Sequence, residues 1–194
     1  MVDFQTSAFA PVVLGFFGLG CGYLIWGPQE LFGFPARDEP VDRAVGVWGI
    51  WMPGFCQLLT GTYIFIGMTW FQVFDDPALY MAAVAFSAYG IHWFALGWNR
   101  YRGNDGRPNA GMSVAFTILS ALGAWVFFAV GGWTVGILFI GLSFVYISDF
   151  VNSIRIPWGL KFHGAAHLAT GIWLMYLTFG TTLNIALGYH LKAG

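Results

Sequence analysis

The chain has 194 residues, of which 58% are hydrophobic, 20% aromatic and only 9% charged, with a formal net charge of -1 at pH 7. Ordinary soluble domains carry roughly 25% charged residues, so this composition excludes a water-soluble globular protein and points to the lipid bilayer. With no basic stripe to neutralise phosphates, a nucleic-acid partner is excluded as well.

A membrane span needs about 20 predominantly apolar residues, because the hydrocarbon core is about 30 Å thick and a helix rises about 1.5 Å per residue. Six runs meet this requirement, at 8–26, 44–71, 78–98, 110–130, 133–153 and 163–188. Every backbone amide inside lipid must find an internal partner, so runs this long are helices. The N-terminal stretch MVDFQTSAFA lacks the positive segment of a secretory signal peptide, so the first run is expected to stay in the mature protein. The connections are PQELFGFPARDEPVDR, FDDP, NRYRGNDGRPN, a GGW turn and SIRIPWG, all rich in breaker residues. The expectation is an all-α polytopic membrane protein, one six-helix domain over residues 1–194, in a plasma or inner membrane.

Arg37, Arg43, Arg100, Arg102, Arg107, Arg155 and Lys161 fall in the odd-numbered loops, and only Lys192 falls on the side of the termini. The positive-inside rule then puts the odd loops in the cytoplasm and both termini outside. Small residues recur along the helices: Gly15, Gly18 and Gly22, then Gly54 and Gly61, Ala88 and Ala95, Gly132 and Gly136. Such spacing serves close helix packing in a membrane and also leaves room for a pathway. Cys21 and Cys56 lie in apolar segments with neither metal nor disulfide spacing.

Polar residues within the spans are more informative, since an unpartnered amide costs several kcal/mol in an apolar medium. In the second run, GIWMPGFCQLLTG, Gln57 and Thr60 share a helix face one turn beyond Pro53. Two roles are open for Gln57: bonding a carbonyl freed by Pro53, or lining a pathway. In the third run, AFSAYGIHW, Tyr89 and His92 face one way while Ser87 points elsewhere. A tyrosine there can present a ring to a constriction and a hydroxyl to a carboxylate, or be a core tyrosine with one bonded hydroxyl.

His163 and His167 stand four apart on one face of the sixth helix, with His92 and Asp149 toward the same end. These four form the candidate set for a metal or haem site, and with it the alternative of a membrane oxidoreductase subunit. A third alternative, a structural subunit of a larger assembly, follows from 10 Trp and 20 Phe, many of which must face lipid or partners.

The second and third runs together resemble the acetate uptake transporter family, which includes the bacterial succinate–acetate permeases. The resemblance rests on Gly49, Gly54, Gln57 and Gly61, then Ala85, Phe86, Tyr89, Gly90 and Trp93. In the first run, Pro11, Leu14 and Gly15, followed by Gly18 and Gly20, resemble the N-P-A-P-L-G signature and its glycine pair. Ala10 and Val13 stand where the signature has asparagine and its second proline, and Ile64 stands where bacterial members carry an acidic residue. Members are expected to keep their termini in the cytoplasm, opposite to the arginine distribution here.

The resemblance implies a non-enzymatic membrane channel or transporter, assembled as a homohexamer with one hydrophilic pathway per protomer and no cofactor. Small carboxylates, acetate and succinate among them, would pass an apolar neck. By position Leu19 and Tyr89 match that neck, with Leu142 or Phe144 as the third member, and Gln57, Thr60, Ser87 and His92 as polar groups along the way. An apolar constriction resists ion leak by dewetting.

Overall fold

A computed structural model describes residues 10–193. It is all-helical: α1 (Val12–Phe32), α2 (Glu39–Gly49), a π-helical segment (Ile50–Phe55), α3 (Cys56–Thr69), α4 (Ala78–Arg102), α5 (Asn109–Ala129), α6 (Trp133–Ser153) and α7 (Gly159–Leu187). The α2, π and α3 segments run without a break, so the chain forms six helical rods. Four of the helices, α1, α4, α5 and α6, are each long and apolar enough to cross a membrane. The sixth rod, α7, has 29 residues but is diluted by polar groups such as His163 and His167. Of the predicted runs, 133–153 coincides with α6, while the start of the first, at residues 8 and 9, lies outside the described residues.

Several boundaries move, the start of the sixth rod from 163 to Gly159 among them, and three of the shifts have a clear physical reason. The first helix runs on to Phe32 instead of ending near residue 26, because Pro28 sits in its last turns and disturbs little helix beyond itself. Gly33 closes it at φ 72°, with its amide on the Gln29 carbonyl at 3.0 Å, a left-handed cap that glycine adopts without a Cβ penalty. The second rod begins at Glu39 instead of 44, where the Asp38 carboxylate caps it by accepting from the Val41 amide at 2.8 Å. The third rod reaches Arg102, and its last turn carries Arg100 and Arg102 toward the negative end of the helix dipole.

Packing follows the small residues. α1 packs most extensively on α7, and the bundle is completed by α5 on α6, α3 on α4, α6 on α7 and α2 on α4. A Cβ at Gly46 would lie 2.5 Å from the Gly97 carbonyl, and one at Gly97 would lie 2.5 Å from the Gly46 carbonyl. Here α2 and α4 touch backbone to backbone. On α1, Gly18 makes room for the Met52 carbonyl and Cys56, and Gly22 for the ring of Pro53, so the widened π turn is seated against a glycine face. Many large apolar side chains, including Trp70, Trp125 and Ile118, stay exposed on the outside of the bundle, as lipid or partner subunits require.

The crossing of α2 and α4 generates a direct test. Gly97→Val must push two backbones apart, and overpacking of this kind costs about 1–3 kcal/mol; the thermal unfolding midpoint in mild detergent should fall clearly, whereas Gly111→Val, with open space around its Cβ position, should leave it nearly unchanged.

Candidate functional site

The centre of the bundle divides into an apolar half toward the α5–α6 turn and a polar half toward the opposite end. In the apolar half lies a cavity of about 140 Å³. Leu19 from α1, Tyr89 from α4 and Leu142 from α6 all line it, as do Phe86, Phe139 and Gln57. Each of the three neck candidates is only 2% exposed, whereas Phe144 is 52% exposed. The choice left open in the sequence is therefore corrected to Leu142: Phe144 sits on the outer face of α6. Its buried neighbours Leu138, Leu142, Val145, Tyr146 and Asp149 are spaced three and four apart, which defines the inner face.

Gln57 is the one strongly polar side chain at this cavity. It is 1% exposed, and neither its amide nitrogen nor its amide oxygen has a hydrogen-bond partner among the described residues. This overturns the reading in which it satisfies a carbonyl loosened by Pro53. The π segment removes that need, because an i→i+5 register hands the Gly49 carbonyl to the Gly54 amide and bypasses the proline, which has no N–H.

Thr60 and Ser87 are not among the residues lining the cavity. The Thr60 hydroxyl donates to the Cys56 carbonyl at 2.8 Å, with the Pro11 carbonyl 3.4 Å away. Ser87 packs at the crossing of α4 with α3, where a Cβ on Gly61 would collide with its hydroxyl. Of the signature-like residues, Pro11 supplies that carbonyl, Leu14 is 39% exposed, and Gly15 makes space for the Phe86 ring.

On the far side of Tyr89 polar contacts join the aromatic ones. The Tyr89 hydroxyl and Ser120 Oγ are 2.9 Å apart, and the Tyr89 ring stacks on Tyr146 with centroids 5.6 Å apart. His92 meets the Tyr146 hydroxyl through Nδ1 at 3.5 Å. Next come Ser113, which donates to Asp149 Oδ2 at 2.7 Å, and His163, whose Nε2 is 3.8 Å from Asp149 Oδ1. His167 Nδ1 is 2.7 Å from Glu30 Oε2. The predicted metal set is thus corrected: His163 and His167 do come together, but with Glu30 as the third ligand-bearing side chain. His92 turns instead to Tyr146, and Asp149 stands beside His163. Both α7 histidines are buried and not at the aqueous boundary.

At the mouth of this half, Arg100 is held by Gln29 and by Asp42 Oδ1 at 2.9 Å, with its guanidinium 4.7 Å over the Trp26 ring. Arg37 grips the other Asp42 oxygen at 2.8 Å. Arg155 and Arg107 both reach Asp105, which places the α4–α5 and α6–α7 loops side by side. Sequence reasoning missed Gln29 and Glu30 because it ended the first helix too early, and left Arg100 in a loop because it ended the third run at 98. Leu19, Tyr23, Trp26 and Glu30, spaced four, three and four, carried the signal of one inward face.

The class these features define is a polytopic α-helical membrane protein whose six rods surround a small, mostly apolar central cavity. The same fold is seen in the structure of the bacterial acetate channel SatP, with a TM-score of 0.73 and 17% sequence identity, over 94% of this chain and 96% of that one. No protein-family model matches the sequence, and no curated protein matches it.

The arginine clasp on Asp42 sets a pH dependence. Partial burial pushes its carboxyl up, but hydrogen bonds and charge from Arg37 and Arg100 outweigh that and hold it below its ordinary value of 3.8. A depressed carboxylate stabilises the fold fully above its unfolded value, and the contribution is lost as pH falls through the folded value. Acid melts should therefore show a loss of stability below about pH 3.8 that is weaker in Asp42→Asn, a variant already less stable at neutral pH.

Proposed function

We propose that the chain is a channel or transporter that passes acetate and other small carboxylates, succinate among them, through the centre of each protomer. The reading is carried by one observation: a buried, unpartnered amide, Gln57, at a cavity of about 140 Å³ beside Leu19, Tyr89 and Leu142. A native bundle rarely leaves both atoms of a buried amide unsatisfied. An amide N–H aimed into an apolar chamber is suited to a carboxylate oxygen, and the chamber walls suit a methyl or methylene group. The fold shared with the acetate channel SatP supports the same reading.

In this scheme Leu19, Tyr89 and Leu142 form the neck. It stays dry when empty and admits a carboxylate only as polar groups on either side replace part of its hydration. Gln57 serves one side; Ser120, through the Tyr89 hydroxyl, and His92 serve the other. The lipid bilayer is the setting and a homohexamer in the plasma or inner membrane the assembly, with the exposed aromatic and aliphatic faces providing its contacts. The positively charged loops face the cytoplasm. No cofactor takes part in passage.

Gln57→Leu keeps the volume of the side chain but removes the amide that would bond a carboxylate. A hydrogen bond to a charged group contributes about 1.5–3 kcal/mol, so uptake of labelled acetate into proteoliposomes should fall about tenfold or more. Leu142→Ala widens the neck and should raise succinate uptake relative to acetate. Acetate uptake unchanged in the Tyr89→Ala, Gln57→Ala double variant would sink this pathway.

A further inference from the structure

We propose that Glu30, His163 and His167 form a binding site for a divalent transition metal, joining α1 to α7 in the polar half of the bundle. The inference is independent of what passes the neck. One ligand atom from each of the three side chains lies within 4.8 Å of the others, and all three side chains are buried. Neighbouring ligands around a tetrahedral ion stand about 3.3 Å apart when each is about 2.0 Å from the metal, so modest side-chain rotation closes the set. Two imidazoles and a carboxylate suit zinc, cobalt or iron, not magnesium or calcium.

The surrounding hydrogen bonds prepare His163 for this role. Ser148 donates its one hydroxyl proton to the Val145 carbonyl at 2.7 Å. Its oxygen, 2.9 Å from His163 Nδ1, can then only accept, so the ring proton sits on Nδ1. That tautomer leaves the Nε2 lone pair free, on the side facing Asp149, and fixing a ring by its other nitrogen is how second partners orient metal-ligating histidines. Asp149, itself held by Ser113, is a nearby outer carboxylate.

Charge balance points the same way. Glu30 and Asp149 are two buried carboxylates, one beside His167 and the other beside His163, and the two imidazole ring centroids are 4.0 Å apart. Neutralising both carboxylates with two imidazolium ions would set like charges in contact away from water. A single divalent ion supplies the same charge from one centre and is attracted to both rings. A groove of about 180 Å³ at the loop end, lined by Asp105, Asn109 and Asn152 alongside Arg107 and Arg155, reaches Asp149, the neighbour of His163.

The test is metal binding by the full chain, purified in mild detergent, stripped with a chelator and titrated with cobalt(II). One cobalt per chain is expected, with visible bands of a low-symmetry nitrogen and oxygen site that zinc(II) displaces. Glu30→Gln and His163→Gln should each weaken binding by about a hundredfold or more, while His190→Ala, on the exposed C-terminal segment, should bind as before. Because Glu30→Gln also touches the α1–α7 contact and can unfold the chain, X-ray absorption of the zinc-loaded wild type gives a second readout, expected to show two imidazole ligands and carboxylate oxygen. No stoichiometric cobalt in the wild type, binding equal in all variants, or an all-oxygen or sulfur shell would each overturn the site.

Discussion

The hydrogen bond between Glu30 and His167 is the contact on which the bundle's inner arrangement depends. It joins α1 to α7, the most extensive helix pair in the fold, and it does so where water cannot compensate for a lost partner. Its length of 2.7 Å is possible only because the helix backbones approach closely just beside it. A Cβ at Gly164 would lie 2.5 Å from the Leu31 amide nitrogen, and one at Gly27 would lie 3.1 Å from the Gly164 carbonyl. Helices in lipid gain little from burying apolar side chains against one another, so close backbone packing and interhelical hydrogen bonds carry the association. At this crossing the two are the same event: the glycines permit the approach and the buried acid–histidine pair uses it.

The density of polar groups then distinguishes the two halves of the molecule. On the loop side of Tyr89, serine, tyrosine, histidine and carboxylate groups hold one another through short contacts, and the Arg100–Asp42 pair closes the end. That network is incomplete: Tyr23 Oη, Gln29 Nε2, His92 Nε2 and Trp93 Nε1 are buried there without a partner among the described residues. On the other side, the walls are phenylalanine and leucine, and the one strongly polar group, Gln57, has nothing to bond among the described residues. A buried amide left in that state is a cost to the fold.

Much of this was legible in the sequence, and the reasons for the remainder are specific. Helix existence followed from hydropathy alone, because lipid leaves the backbone few alternatives, and α6 matched from Trp133 to Ser153. Glu30 was hidden by Pro28, which reads as a helix end but here lies only a turn before the true cap at Gly33. The neck residue on α6 was ambiguous when Leu142 and Phe144 were weighed as single residues. That Leu142 and not Phe144 faces inward follows once the spacing from Asp149 back through Tyr146 and Leu142 to Leu138 is read as one face. Thr60 could not be told from a pathway residue, since a threonine hydroxyl that bonds its own helix four residues back leaves no mark in the sequence. Tertiary pairing of Glu30 with His167, 137 residues apart, is likewise outside the reach of local pattern.

The role of Pro53 ties these threads together. In a regular α-helix it would leave the Gly49 carbonyl without a donor, and a nearby glutamine would be drawn to it. The chain instead widens one stretch into a π register, Ile50–Phe55, and so provides a backbone donor for that carbonyl. The widened turn also needs more room, which α1 provides at Gly18 and Gly22, against Met52 and Pro53. Two consequences follow from one residue: the rod is seated on α1, and the glutamine one turn later is released from the backbone. π turns are concentrated at functional positions in helices, and this one shows a physical reason. By meeting the backbone's own demands, it frees a side-chain amide to face the cavity.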